Sequence, residues 1–277
     1  MTKSSRPSDV PVPGTYLNRG VRTEIVIVDH EDYGRCVEKR LLGFCDVESE
    51  RQALKQEAEL QITRRSTGVV EVYGSSHSSL YRKYIKGPTL REVFALSENA
   101  LSLNQPLPTP PSIIAQLCVT LSALHDGSTG MNQQPSLVHR DLTPGNVYLE
   151  ATGQVLLSDF GLAYCPSDTL LNEDELLQGT PRFLAPELYR GEAPSLQSDV
   201  YQLALLFAWM CEPSLRKTPA ADCGFDAKLE RPPSCRAWHV DAAQVLKPYG
   251  LEFALDPEPL RRPTARQFLT VLAPELW

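Results

Sequence analysis

His139-Arg140-Asp141-Leu142-Thr143-Pro144-Gly145-Asn146 is the stretch from which the rest of this 277-residue chain is read. Three further motifs follow it in order: Asp159-Phe160-Gly161, then Gly179 to Glu187 (GTPRFLAPE), then Ser198 to Ala204 (SDVYQLA). A lone tripeptide recurs by chance, whereas four motifs in a fixed order at workable spacings do not. Upstream, Ile113, Ile114, Leu117, Leu121 and Leu124 recur at helical spacing, which predicts a helix over Ile113 to His125. Downstream, Ser198 to Met210 is apolar nearly all round, as a central buried helix would be.

Before Gly87-Pro88 the texture is different. Ile25-Val26-Ile27-Val28 and Cys36-Val37-Glu38-Lys39 are β-prone runs separated by the turn-rich Asp29 to Arg35 (DHEDYGR). A helix is expected from about Asp46 to Ile62, opened by acids that suit a helix N-terminus. Val69 to Tyr73 and Leu80 to Ile85 are two more expected strands. Residues 1–14, rich in Ser, Pro and charge, read as a disordered tail. The reading is therefore α+β, with a small β-rich lobe over 15–85 carrying one main helix and a larger helical lobe over 86–277. Ser97 to Pro111, with four prolines, and Asp126 to Pro135 read as inserted loops.

Composition narrows the function classes. Lys and Arg total 27 against 34 Asp and Glu, so a net charge of −7 gives no bulk electrostatic reason to bind nucleic acid or an anionic membrane. The seven cysteines are odd in number and never spaced as CxxC, which predicts reduced thiols in a cytoplasmic protein rather than disulfides or zinc. The longest apolar run, Leu203 to Cys211, is about half of what a membrane span needs. The first residues lack the apolar core of a signal peptide.

From about Tyr16 to Leu272 the chain resembles the protein-kinase superfamily, in its bacterial-type Ser/Thr branch, and the four motifs carry that resemblance. It implies a bilobal fold and transfer of the γ-phosphate of ATP to protein Ser or Thr hydroxyls. Such a transfer needs positioning and charge neutralisation more than covalent help. By the resemblance Asp141 receives or orients the attacking hydroxyl, and Asn146 and Asp159 hold Mg²⁺, with Mn²⁺ as the alternative cation. Lys39 closes a strand where the family has V-A-I-K, so it is expected on the ATP phosphates and paired to a helix glutamate. Ungapped alignment of Gly68 to Gly74 (GVVEVYG) puts that glutamate at Glu57, with Glu50 and Glu59 as competitors. Glu187 is expected to pair with Arg262, Asp199 to brace the catalytic loop, and His139 to be a packed structural residue. Gly179-Thr180-Pro181 resembles Ser/Thr rather than Tyr kinases.

Departures from the pattern sit around the nucleotide. Of the glycines in G-x-G-x-x-G-x-V only Gly20 remains; Asn18 and Thr23 replace the others, and Ile25 holds the valine position. Side chains there keep backbone from approaching phosphate, which predicts weaker ATP binding. Arg19 or Arg22 offers compensating charge, or is merely solvated. Thr143 stands where many relatives have a lysine. Ile25 and Val37 are expected above the adenine, Tyr148 below it, Lys83 to Ile85 along its edge, and Arg82 at the gatekeeper. Asn172 to Leu176 is acidic and lacks a hydroxyl where active relatives often carry a phosphothreonine. Asp174 or Glu175 either substitutes for that phosphate opposite Arg140 or is a solvated loop residue.

Two functions remain. An active Ser/Thr kinase is favoured by Lys39, Asp141, Asn146 and Asp159; a noncatalytic scaffold is favoured by the glycine-poor loop, Thr143 and Arg82. A kinase of small metabolites has no positive support. The expected partners are ATP and protein substrates, with a regulatory protein left open.

Overall fold

The computed structural model describes residues 14–20, 22–95, 107–127, 135–167, 171, 173–176, 178–217 and 233–273. The expected tail before Gly14, most of both inserted loops, Thr169 and Asn172 lie outside the described residues. The chain divides into two compact units, each with its own core.

In the first unit β1 (Tyr16–Arg19), β2 (Thr23–His30) and β3 (Gly34–Leu41) run antiparallel, and the Asp29 to Arg35 segment closes the β2–β3 turn with His30 opposite Gly34. After α1 (Glu48–Thr63) come β4 (Val72–Ser75) and β5 (Ser79–Lys83), giving a sheet of order β1-β2-β3-β5-β4. Glu48 and Glu50 lie in the first turn of α1, where acids meet the positive end of the helix dipole. Leu54, Glu57, Ala58 and Gln61 share its buried face at i, i+3, i+4 and i+7. Leu54 and Ala58 pack with Leu41, Val72 and Leu80, with Ile62 at the edge. The helix is thus fastened to β4 and β5 by a narrow apolar stripe that holds one carboxylate in its middle.

Two strand boundaries differ from expectation. Val69 leaves the first sheet and makes a parallel bridge to Leu157, while the Leu157 amide donates to the Gly68 carbonyl. Ser66–Val69 therefore go with the second unit, which otherwise begins at Lys86, and β4 starts only at Val72. Strand β5 ends at Lys83, whose amide bonds the Glu71 carbonyl.

The second unit contains α2 (Leu90–Ala95), α3 (Pro110–His125), the hairpin of β6 (Val147–Leu149) and β7 (Val155–Leu157), and the short helices α4 (Glu173–Leu176) and α5 (Pro186–Tyr189). It ends with α6 (Leu196–Cys211), α7 (Pro213–Lys217), α8 (Pro233–Leu246) and α9 (Ala265–Leu272). Thr109 caps α3 by accepting from the Ser112 amide, and prolines at 110 and 111 occupy the first turn, where no amide partner is lost. Helix α6 is buried from Ser198 to Met210 and packs against α3 and α8. That burial explains its lack of a polar face. Leu117 and Leu203 are fully buried, so trimming either to alanine would cost about 2–5 kcal/mol.

Candidate active site

In the first unit Lys39 Nζ lies 2.8 Å from Glu57 Oε2 and 3.0 Å from Oε1, with both side chains largely buried. Strand alternation puts Lys39 on the same sheet face as Val37, and the cross-strand pairs Ile25–Lys39 and Val37–Arg82 add Ile25 and Arg82 to that face. Arg82 is buried. Lys83 takes the opposite face, and Ile85 is buried just beyond it. The competing glutamates are engaged elsewhere: Glu50 pairs with Arg22 at 2.7 Å, and Glu59 lies 3.9 Å from Lys55. Arg22 is thus tied to α1 rather than merely solvated. Gly20 opens the β1–β2 turn with its amide on the Thr23 carbonyl, 2.8 Å away. The side chains of Asn18 and Arg19 lie outside the described residues.

In the second unit α6 sets the shape of the 139–146 loop. Asp199, wholly buried, accepts the amides of His139 and Arg140 at 2.8 Å each, and also a bond from His125 Nε2 at 2.9 Å. One turn along the same helix face, Gln202 accepts the Leu142 amide at 3.0 Å and donates to the Arg140 carbonyl at 2.7 Å. These bonds hold Arg140 at φ 70°, a left-handed conformation that costs a non-glycine residue on the order of 1–3 kcal/mol. His139 is fully buried, packs edge-on to Phe160 and bonds the Ser158 carbonyl. Sequence reasoning assigned no role to Gln202 or His125; their polar side chains in otherwise apolar helices were the available signal.

The loop delivers Asp141 into a tight polar setting. Thr180 Oγ1 donates to Asp141 Oδ1 at 2.8 Å, and Asn146 Nδ2 donates to Oδ2 at 2.8 Å and to the Asp141 carbonyl at 2.9 Å. Burial raises the Asp141 pKa above the usual carboxylate range, and the Asp159 charge pushes the same way. The Thr180 hydrogen bond, His139 and the Asn146 amide oppose the rise. Asp159 itself sits at φ 66°, a second left-handed non-glycine residue. Tyr148 lies on β6 opposite Leu156, half-buried, with a backbone bridge to Thr89.

The residues fit a hard divalent cation. The Asn146 amide bonds Asp141 twice through its nitrogen, which turns its oxygen away from that residue. Asp159 brings a carboxylate whose charge reaches Asp141, so two like charges crowd a place where a cation would relieve them.

The protein kinase domain family matches residues 28–229 of the chain. The chain belongs to that family. It is 30% identical over 140 residues to "Serine/threonine-protein kinase PknB" of Mycobacterium leprae (strain TN), covering 50% of this chain and 20% of that protein. To "Serine/threonine-protein kinase pakG" of Dictyostelium discoideum it is 25% identical over 227 residues, covering 80% of this chain and 18% of that one. "Serine/threonine-protein kinase PknB" of Mycobacterium tuberculosis (strain ATCC 25618 / H37Rv) is 29% identical over 139 residues, with 50% and 20% covered. The chain spans about a fifth of the length of these relatives. The first unit is the β-rich lobe of the kinase fold and the second its helical lobe.

Two further kinase features are now explicit. Glu187 and Arg262 form a buried two-pronged ion pair, both contacts at 2.7 Å, with Ser198 donating to the same carboxylate. Around Arg140 the expectation of a carboxylate standing in for phosphate concerned Asp174 or Glu175. Among the described residues, the acceptors that this segment offers the guanidinium are the main-chain carbonyls of Glu175 and Leu176, at the end of α4, joined by that of Leu162. The Glu175 charge contributes at longer range by favouring the protonated guanidinium, against the effect of burial. The Asp174 side chain lies outside the described residues. Among the described residues no helix is long and apolar enough to cross a membrane.

Proposed function

We propose that the chain is an ATP-dependent protein kinase that phosphorylates Ser and Thr hydroxyls, with Asp141 as the group that takes the proton. The observation that carries this reading is the Asp141 carboxylate gripped on one oxygen by Thr180 and on the other by Asn146. Such a grip fixes its direction before any substrate arrives. The acceptor hydroxyl gives its proton to Asp141 as its oxygen bonds to the γ-phosphorus, and the β–γ bridging bond breaks to release ADP. Lys39, oriented by Glu57, is assigned to the α- and β-phosphates, with Gly20, Ile25, Val37, Lys83, Ile85 and Tyr148 assigned to the rest of the nucleotide. Mg²⁺, or Mn²⁺ in its place, held by Asn146 and Asp159, supplies charge neutralisation on the phosphates when bound.

The intact Lys39–Glu57 pair and the braced catalytic loop support the enzyme over a noncatalytic scaffold. Thr180 on the Asp141 carboxylate supports hydroxyls of Ser and Thr over Tyr. Free thiols at Cys36, Cys118 and Cys211 suit a reducing, cytoplasmic setting. The test is incorporation of label from γ-labelled ATP into a generic protein substrate. The wild type incorporates it and Asp141→Asn loses it by orders of magnitude; equal incorporation by both would defeat the assignment.

A further inference from the structure

The loop from Asp141 to Asn146 carries one charged side chain, the acid Asp141, and the residue two positions on, Thr143, is uncharged and buried. A cation nevertheless lies against this loop. Arg91, in the first turn of α2, donates its amide to the Pro144 carbonyl at 2.8 Å. Its guanidinium lies over Gly145: a β-carbon there would be 3.1 Å from Arg91 Nη2 and 3.3 Å from Cζ and Nε. Glycine at 145 is what admits so close an approach.

Arg91 is exposed, and no carboxylate among the described residues pairs with it. Its neighbour Glu92 is committed elsewhere, since Glu92 Oε2 accepts from both the amide and the hydroxyl of Thr89 at 2.7 and 2.8 Å. The result is an arginine whose backbone is fixed to the loop and whose guanidinium donors are not spent on any described residue. It rests on the residue next to Asn146, whose amide grips Asp141. Arg91 and Asp141 are thus joined through one short loop, and a side chain flanking a hydroxyl presented to Asp141 is the group this guanidinium is proposed to meet. A planar five-donor fork is suited to carboxylates, and on a chain of net charge −7 a local cation is a selective contact rather than a general attraction.

We propose that Arg91 is a specificity-determining residue that recognises an acidic side chain flanking the phosphoacceptor Ser or Thr of the protein substrate. This rests on the kinase reading of Asp141. It goes beyond that reading by assigning the substrate's charge.

The experiment compares two peptides that share one Ser/Thr acceptor and differ only in flanking Asp/Glu against Asn/Gln. Each is assayed for phosphorylation and, labelled with fluorescein, for direct binding by anisotropy. The wild type prefers the acidic peptide, chiefly through KM and by about fivefold, the scale of an exposed ion pair. Arg91→Lys keeps most of that preference, Arg91→Ala removes it, and Arg91→Glu reverses it toward a third peptide with flanking Lys. A wild-type preference near unity, or one that Arg91→Ala and Arg91→Glu leave intact in both assays, overturns the proposal. The binding arm separates the two claims. If neither peptide is phosphorylated yet binding follows the charge at residue 91, the assignment of Arg91 stands and the kinase reading fails. If both are phosphorylated in an Asp141-dependent way with no charge preference, the kinase reading stands and Arg91 is not a specificity residue.

Discussion

At the scale of single residues the decisive group is Asp141. Its pKa is raised by burial and by the Asp159 charge, and Thr180 holds it down by donating a hydrogen bond to the charged form. Only the ionised carboxylate can take a proton, so activity falls as pH drops through its pKa. Removing the Thr180 hydroxyl takes away a stabiliser of the charged form and raises that pKa further. Thr180→Val should therefore move the acid limb of the kcat/KM profile to higher pH, and a pH–rate profile of the two proteins checks it. An unmoved limb would show that Thr180 does not tune Asp141. Much at this scale was readable from sequence, because the residues concerned sit in motifs whose chemistry restricts them. Lys39 and Glu57 could be matched by aligning their segments with the family's pattern, and the structure puts them 2.8 Å apart. Arg91 could not be found that way, since its contact with Gly145 joins residues with no sequence pattern between them.

At the scale of elements the catalytic loop depends on α6. Gln202→Leu would strip partners from the Leu142 amide and the Arg140 carbonyl, both inside the protein. Each lost partner costs about 1–3 kcal/mol, so a loss of about 2–6 kcal/mol is expected in urea denaturation, with activity falling as the loop loosens. The loop is also restrained by α4, whose terminal carbonyls accept from Arg140, and on this account no phosphate is needed there. Phosphatase-treated protein, and Ser167→Ala, should keep full activity. Glu175→Gln should lose less than Leu176→Pro, because proline restricts the backbone whose carbonyls hold Arg140. Silencing by phosphatase would contradict this. Helices α3 and α6 and the β2–β3 turn were legible because their periodicity or turn residues are strong. The allegiance of Val69 was not, because an apolar β-branched residue suits either unit and its bridge to Leu157 is a tertiary choice. The α4 carbonyls were equally hidden, since main-chain acceptors leave no mark on a sequence.

At the scale of the whole molecule the fold belongs to the protein kinases, and its fit to ATP can be tested without turnover. A ligand that binds only the folded state stabilises it by about 2.7 kcal/mol at a hundredfold excess over Kd. Mg·ATP should raise Tm for the wild type and for Asp141→Asn, and much less for Lys39→Met, which removes the assigned phosphate contact. The central claim is that Asp141 directs phosphate from ATP to Ser and Thr hydroxyls. Phosphoamino-acid analysis of a protein substrate labelled by the wild type, run beside Asp141→Asn, tests it most directly. The account predicts phosphoserine or phosphothreonine from the wild type and a loss of orders of magnitude from the variant. Phosphotyrosine alone, or labelling that Asp141→Asn leaves unchanged, would contradict it.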